Sequence, residues 1–180
     1  MNKSAGIYKT EAIVLSATQM GEQDILLTFY SRGYGRITAR AISARKKEGK
    51  LKGYLQPFTY GRFLLAKSKT IDIVTDVELL ENFNYLRGSL AALAYAYYFS
   101  ELIGKLVVGS EPDENVWRLV LRVFEVLDQR NSDLVKIKVL FEQKLLEFLG
   151  YGKQTKTAPR FIWELFGEEV KAEKFLKMVS

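Results

Sequence analysis

The spacing of apolar residues changes character near residue 84 and divides the chain into a strand-rich part and a helical part. Before that point, short runs rich in β-branched and aromatic residues are separated by turn-forming residues, which is the pattern of β-strands. After it, apolar residues recur at the three- and four-residue spacing of amphipathic helices. The predicted strands are 13–15, 25–30, 37–42, 58–66 and 70–77.

Five short strands within the first 80 residues predict a small closed barrel, because closure removes the exposed strand edges that promote aggregation. We therefore expect an α+β protein. A five-stranded OB-type barrel over residues 1–80 is followed by an α-helical domain over residues 81–180.

Capping residues predict the helix limits in the second part. Pro112 suits the first turn of a second helix, where its missing N–H is not needed. Ser132 is the predicted N-cap of a third helix, which ends at Gly150. A final helix is predicted over 161–178.

The positive charge of the chain lies entirely in the predicted barrel. Residues 1–80 contain 13 Lys and Arg against 7 Asp and Glu, whereas residues 81–180 contain 14 of each. Such an asymmetry indicates a half that faces a polyanion, with nucleic acid as the favoured partner. The alternative is a non-enzymatic adaptor whose basic barrel docks an acidic protein or RNA.

The absence of Cys and His removes thiol nucleophiles, Ser-His-Asp triads and the usual zinc sites. The acidic residues show no converging pattern, so we expect no catalytic site, no metal and no cofactor. No apolar run is long enough for a membrane span and no secretory signal is visible, so we expect a cytoplasmic protein.

The segment 36–42 places its charged residues on one side of a strand. Side chains alternate with period two, so Arg36, Thr38 and Arg40 share one face and the intervening apolar residues share the other. Two guanidinium groups on one face suit phosphate contacts, although an ordinary solvated strand face explains the pattern equally well.

The loop that follows carries five cations and one anion. These cations are Arg45, Lys46, Lys47, Lys50 and Lys52. Self-repulsion disfavours such a cluster unless solvent or a polyanion neutralises it. Among nearby aromatic residues, Tyr34 at the preceding turn is the one predicted to stack on a base.

In the helical part, Arg118 and Arg122 are four residues apart and therefore adjacent on one helix. They could hold a carboxylate of a partner peptide, or they could form a solvated ridge.

Several segments in their order resemble the bacterial recombination mediator RecO family. They are YKTEAIVL at 8–15, GEQD at 21–24, GRI at 35–37, ARK at 44–46, LQPF at 55–58, LAYAYY at 93–98, FEQKLL at 141–146 and LGY at 149–151.

The resemblance implies an OB fold, a helical domain, and binding of single- and double-stranded DNA. It further implies strand annealing and help in loading RecA onto DNA coated by single-strand-binding protein (SSB), with RecR and the acidic C-terminal tail of SSB as partners. The DNA contacts would be Arg36, Arg40 and the loop 45–52, and the tail site would include Arg118 and Arg122. Many members carry a four-cysteine zinc module, which is not expected here, and residues beyond 151 match the family poorly.

Overall fold

Five strands close into a barrel in the first part of the chain. The structure, a computed structural model, describes residues 6–44 and 51–179. The strands pair in the order β1-β2-β3-β5-β4, and β4 pairs with β1 to close the ring. They are β1 (Ile7–Met20), β2 (Asp24–Ser31), β3 (Gly35–Ala41), β4 (Tyr60–Ala66) and β5 (Asp72–Glu81). The predicted five-stranded barrel followed by helices is confirmed.

The long β1 strand closes the barrel because it belongs to two pairings. Its first half, Ile7 to Ile13, is antiparallel to β4, and its second half, from Ala12 to Met20, is antiparallel to β2. A register shift between Val14 and Ser16 bends the strand where it passes from one partner to the other. The sequence predicted only residues 13–15, since polar side chains alternate outside this apolar centre.

The barrel interior combines small and large apolar side chains, as a narrow barrel requires. Phe29 and Phe63 meet edge to face, with ring centroids 4.7 Å apart. Alanines from β1 and β3 leave room for these rings. Complete burial of one such ring contributes about 2–3 kcal/mol. The buried core consists of Ala12, Val14, Leu27, Phe29, Ala39, Ala41, Ala44, Leu55, Phe63, Leu65 and Val74.

Up to residue 179, where the described part of the chain ends, the second part forms six α-helices. They are α1 (Asn84–Gly88), α2 (Leu90–Leu106), α3 (Glu114–Leu127), α4 (Leu134–Phe148), α5 (Ala158–Phe166) and α6 (Ala172–Val179). The predicted final helix is two helices, because Gly167 adopts a φ of 67° and ends α5.

The predicted helix starts are wrong by one or two residues, because aspartates act as the caps. The side chain of Asp113 accepts the N–H groups of Asn115 and Val116, so α3 begins after Pro112. Asp133 caps α4 by accepting the N–H of Lys136. Ser132, the predicted cap, instead donates its hydroxyl to the carbonyl of Val126.

A buried carboxylate joins three helices of the second part. Glu142 is 5% exposed and accepts hydrogen bonds from the hydroxyl of Tyr98, at 2.7 Å, and from the N–H of Ala158, at 2.8 Å. Lys138 pairs with the same carboxylate. Glu142 therefore connects α4 to α2 and to the first turn of α5, where a negative charge is favourable.

The chain separates into two compact units. The first consists of Met1–Asn82 with Ser110–Pro112, and the second of Phe83–Gly109 with Asp113–Ser180.

Candidate nucleic-acid interface

The alternation predicted for β3 is confirmed. Ala39 and Ala41 are buried in the barrel core, and Ile37 packs against the same core. Thr38, on the opposite face, is exposed, while Arg36 and Arg40 are partly exposed beside it. The outward row of Arg36, Thr38 and Arg40 is thus carried by a strand whose inner face is fixed by packing.

Arg40 takes part in a second arrangement that the sequence did not predict. Its guanidinium forms an ion pair with Asp24, at the start of β2, and its Nε atom lies 2.6 Å from Oδ2 of that carboxylate. Oδ1 of Asp24 accepts the N–H of Ser43 at 2.7 Å. The Arg40 side chain stays 43% exposed. It therefore remains within reach of a phosphate while it holds the end of β3.

Arg36 lies near the other end of the same strand. It pairs with Tyr30 of β2 in the antiparallel register and is half-buried. From Arg36 to Arg40 the strand advances by about 13 Å, at roughly 3.3 Å per residue. The row is long enough for several phosphates of one strand.

Most of the predicted basic loop lies outside the described residues. Arg45, Lys46, Lys47 and Lys50 belong to the segment 45–50, and the side chain of Lys52 is likewise outside the described part of the chain. The residues on either side of this segment are anchored. Ala44 is part of the barrel core and Leu51 packs against it.

Tyr34 lies at the β2–β3 turn, at the opposite end of β3 from the basic loop. Its ring contacts that of Tyr8, with centroids 4.6 Å apart and planes inclined by 58°. The main-chain N–H of Tyr34 donates to the hydroxyl of Ser31 at 3.1 Å. Gly35 follows with a φ of 59°, and a Cβ there would collide with the carbonyl of Glu111. The turn consequently requires glycine at position 35.

The acidic residues on β1 and β5 are engaged with cations of the same side of the barrel. Glu11 pairs with Arg62 at 3.3 Å, and Glu78 pairs with Arg62 at 3.1 Å and with Lys9 at 3.5 Å. These carboxylates raise the pKa of Arg62, chiefly through the hydrogen bond to Glu11. Glu11 and Glu78 therefore offset part of the positive charge of Lys9 and Arg62.

Arg118 and Arg122 lie one turn apart on α3, as their spacing predicted, and both are exposed. Each has an acidic neighbour on its own helix: Arg118 contacts Glu114 at 3.0 Å, and Arg122 contacts Glu125 at 3.2 Å. Both side chains remain largely exposed, at 75% and 66%. Exposed ion pairs of this kind are weak. A partner that binds the two arginines would therefore lose little by breaking them.

Beside these arginines, α3 and α4 enclose an apolar groove that the sequence did not predict. Its volume is about 550 Å³, and its lining includes Leu119, Phe148 and Lys144 together with the two arginines. A smaller cavity of about 150 Å³ adjoins these residues and is lined by Val123, Val126, Ile137, Leu140 and Phe141. In the sequence, the exposed apolar residues Leu140 and Phe148 of α4 were the available signal for this groove.

The aspartates that pair with Tyr8 and Arg40 in the barrel were also not identified from the sequence. Asp24 and Asp72 meet side chains of other strands, and only the strand register brings these groups together. A single sequence contains no direct signal for such pairs.

Within residues 6–44 and 51–179, no helix has the length and apolar character needed to cross a membrane. The same residues contain no group of three or more acidic side chains that could hold a metal ion. The donors of the zinc module are also missing from the sequence, which has neither Cys nor His. The residues present therefore do not fit zinc.

Comparison with known proteins gives the same family for both parts of the chain. The family described as "Recombination protein O N terminal" matches residues 1–83, and that described as "Recombination protein O C terminal" matches residues 87–156. Together they account for most of the chain, including β3, α3 and α4.

Curated relatives named "DNA repair protein RecO" are similar over the same region. The protein of Pelotomaculum thermopropionicum is 41% identical over 145 residues, which cover 81% of this chain and 56% of the relative. That of Desulforamulus reducens is 37% identical over 144 residues, covering 80% and 56%. The chain thus spans little more than half the length of these relatives. On the two family matches and these identities, the chain belongs to the RecO family.

Proposed function

We propose that this chain is a non-catalytic DNA-binding protein of recombinational repair, which binds DNA along the outward face of β3 and the basic loop after it. The observation that carries the proposal is the row of Arg36, Thr38 and Arg40 on a strand fixed from below by the barrel core. Arginine suits phosphate recognition because its planar fork can donate two hydrogen bonds at once.

The charge distribution supports this choice of face. Carboxylates of β1 and β5 engage Lys9 and Arg62 on another part of the barrel. The cations of segment 45–52 follow directly from β3 in the sequence, between the anchored residues Ala44 and Leu51. These cations are therefore the nearest basic residues that follow the outward row of β3 in the sequence, and we include them in the proposed binding site.

Contacts to phosphates carry no sequence information, so this binding would be independent of base sequence. Cations that neutralise the phosphates of two strands also reduce the repulsion between them. We expect the protein to promote annealing of complementary strands for this reason, and to bind both single- and double-stranded DNA.

The expected protein partners are RecR and SSB, with RecA loaded indirectly onto SSB-coated DNA. The groove between α3 and α4 suits the acidic C-terminal tail of SSB. Its apolar lining would accept an apolar side chain, and Arg118 and Arg122 would pair with carboxylates.

An annealing assay tests the function. Lys46→Gln with Lys47→Gln removes two loop cations, and Lys9→Gln with Lys153→Gln removes two exposed cations elsewhere. The loop variant should anneal complementary oligonucleotides at least about tenfold more slowly, because repulsion between the strands is restored. The control should anneal like the unmodified chain, and equal rates for all three would contradict the proposal. Preference for an acidic peptide or RNA over DNA would favour the adaptor instead.

A further inference from the structure

The main chain of the turn that carries Tyr34 is held by hydrogen bonds to the barrel. The N–H of Arg32 donates to the carbonyl of Glu11 at 2.9 Å. The N–H of Gly33 donates to the hydroxyl of Thr10 at 3.3 Å. Together with the bond from Tyr34 to Ser31, three successive N–H groups of the turn are satisfied within the barrel. The backbone that presents Tyr34 is therefore fixed before any ligand arrives.

The Tyr34 side chain is held as well. One side of its ring meets Tyr8 of β1 at 4.6 Å. Tyr8 packs against the barrel core, and its hydroxyl donates to Oδ2 of Asp72 at 2.6 Å. Asp72 also accepts the N–H of Ser68, which fixes the start of the β4–β5 loop. Tyr8 thus packs against the Tyr34 ring, and Tyr34 remains partly exposed.

Cations lie at the same end of the barrel. The Nζ atom of Lys67 is 5.8 Å from the centroid of the Tyr8 ring, and Lys67 and Lys69 are exposed. Arg36 is two residues beyond Tyr34 and begins the outward row of β3. An exposed aromatic ring combined with nearby cations is the arrangement that binds single-stranded nucleic acid, in which bases stack while phosphates are neutralised.

We propose that Tyr34, supported by Tyr8 and Asp72, is a stacking site for an unpaired DNA base, with Lys67 contacting a neighbouring phosphate. The inference rests on the proposed DNA binding along β3 and specifies its substrate as single-stranded DNA at this end. Duplex bases are already stacked on their neighbours and cannot reach the ring. Tyr8 is a positioning residue, since it acts through Tyr34.

Short oligonucleotides that contain 2-aminopurine test this assignment. The protein is titrated into a single-stranded oligonucleotide with the fluorescent base, a matched oligonucleotide with abasic positions, and a duplex. Tyr34→Leu keeps apolar bulk and removes the ring, whereas Tyr34→Phe keeps the ring. Thermal unfolding of each variant reports on the fold separately.

The unmodified chain and Tyr34→Phe should change the fluorescence of the base and bind the intact strand about tenfold more tightly than the abasic one. Tyr34→Leu should lose both effects and keep its duplex affinity. Tyr8→Phe lacks the bond to Asp72 and should weaken the fluorescence change while it keeps the duplex affinity of the unmodified chain.

Two results would overturn the stacking site while leaving DNA binding in place. One is equal affinity of the unmodified chain for intact and abasic strands. The other is an equal loss of single-strand and duplex affinity in Tyr34→Leu. Failure of the unmodified chain to bind any DNA would instead overturn the proposed function.

Discussion

The Nε atom of Arg40 donates a hydrogen bond of 2.6 Å to Oδ2 of Asp24, whose side chain is only 12% exposed. The same carboxylate accepts the N–H of Ser43, whose φ of 53° lies in the left-handed region. A residue predicted as a phosphate contact therefore also holds the backbone that leads into the basic loop.

Arg40→Ala should destabilise the first unit, because the largely buried carboxylate of Asp24 would lose its ion pair with Arg40. We expect a loss of about 1–3 kcal/mol in the free energy of unfolding, measured with urea. Arg118→Ala breaks an exposed pair and should cost below about 0.5 kcal/mol. Equal unfolding midpoints for the two variants would contradict a structural role for Arg40.

Gly35→Ala should also destabilise the first unit. Its φ of 59° disfavours any side chain, and a Cβ would collide with the carbonyl of Glu111. The expected cost is about 2 kcal/mol or more. Gly53→Ala provides the control, because a Cβ at Gly53 would have no atom within 4 Å and the residue has no positive φ. Similar urea midpoints for Gly35→Ala and Gly53→Ala would contradict the close contact between Gly35 and the carbonyl of Glu111.

Tyr98 should make the second unit sensitive to alkaline pH. Burial, and then the nearby Glu142, raise the pKa of Tyr98 well above its ordinary value of 10.0. The hydroxyl stays protonated in the folded state, whereas it ionises near its ordinary pKa in the unfolded state. The protonated Tyr98 hydroxyl therefore contributes fully to the stability of the folded state below pH 10, and this contribution is lost as pH rises beyond that value.

Tyr98→Phe removes this titration together with the hydrogen bond to Glu142. At neutral pH the variant should be about 1–2 kcal/mol less stable than the unmodified chain. Between pH 10 and 11 the difference should narrow by about 1 kcal/mol, because one pH unit corresponds to about 1.4 kcal/mol. A stability difference that stays constant over this range would contradict the assignment.

The groove between α3 and α4 should bind an acidic peptide with an apolar C-terminal residue. Arg118→Glu with Arg122→Glu should weaken such a peptide at least about tenfold in fluorescence anisotropy, because attraction becomes repulsion. Arg130→Glu with Lys153→Glu makes the same charge change at other exposed positions and should have little effect. Equal weakening by both pairs would mean that only overall charge matters.

The sequence was most informative where one local pattern decides the outcome. The alternation from Arg36 to Ala41 predicted which side of β3 faces the core, since a strand has only two faces. The helix limits were less accurate because several polar residues compete for each cap. Asp133 caps α4 although Ser132 was the predicted cap, and Asp113 caps α3 although Pro112 was predicted to lie already in its first turn.

Long-range partners could not be predicted from the sequence. Asp24 meets Arg40 only because β2 and β3 pair in one register, and Tyr8 meets Asp72 across 64 residues of sequence. The groove required the packing of α3 against α4. Charge asymmetry and strand alternation thus predicted the face that we propose for DNA binding, while the groups that hold this face in place became visible only in the fold.

Salt-dependent binding of a labelled single-stranded oligonucleotide tests the central claim most directly. The logarithm of the affinity should fall linearly with the logarithm of salt concentration, because bound cations displace counterions from DNA. Lys46→Gln with Lys47→Gln should reduce the slope by about 1.4, at about 0.7 per lost phosphate contact. Lys9→Gln with Lys153→Gln should leave it unchanged. A loop variant with the same slope and affinity as the unmodified chain would contradict DNA binding by β3 and its basic loop.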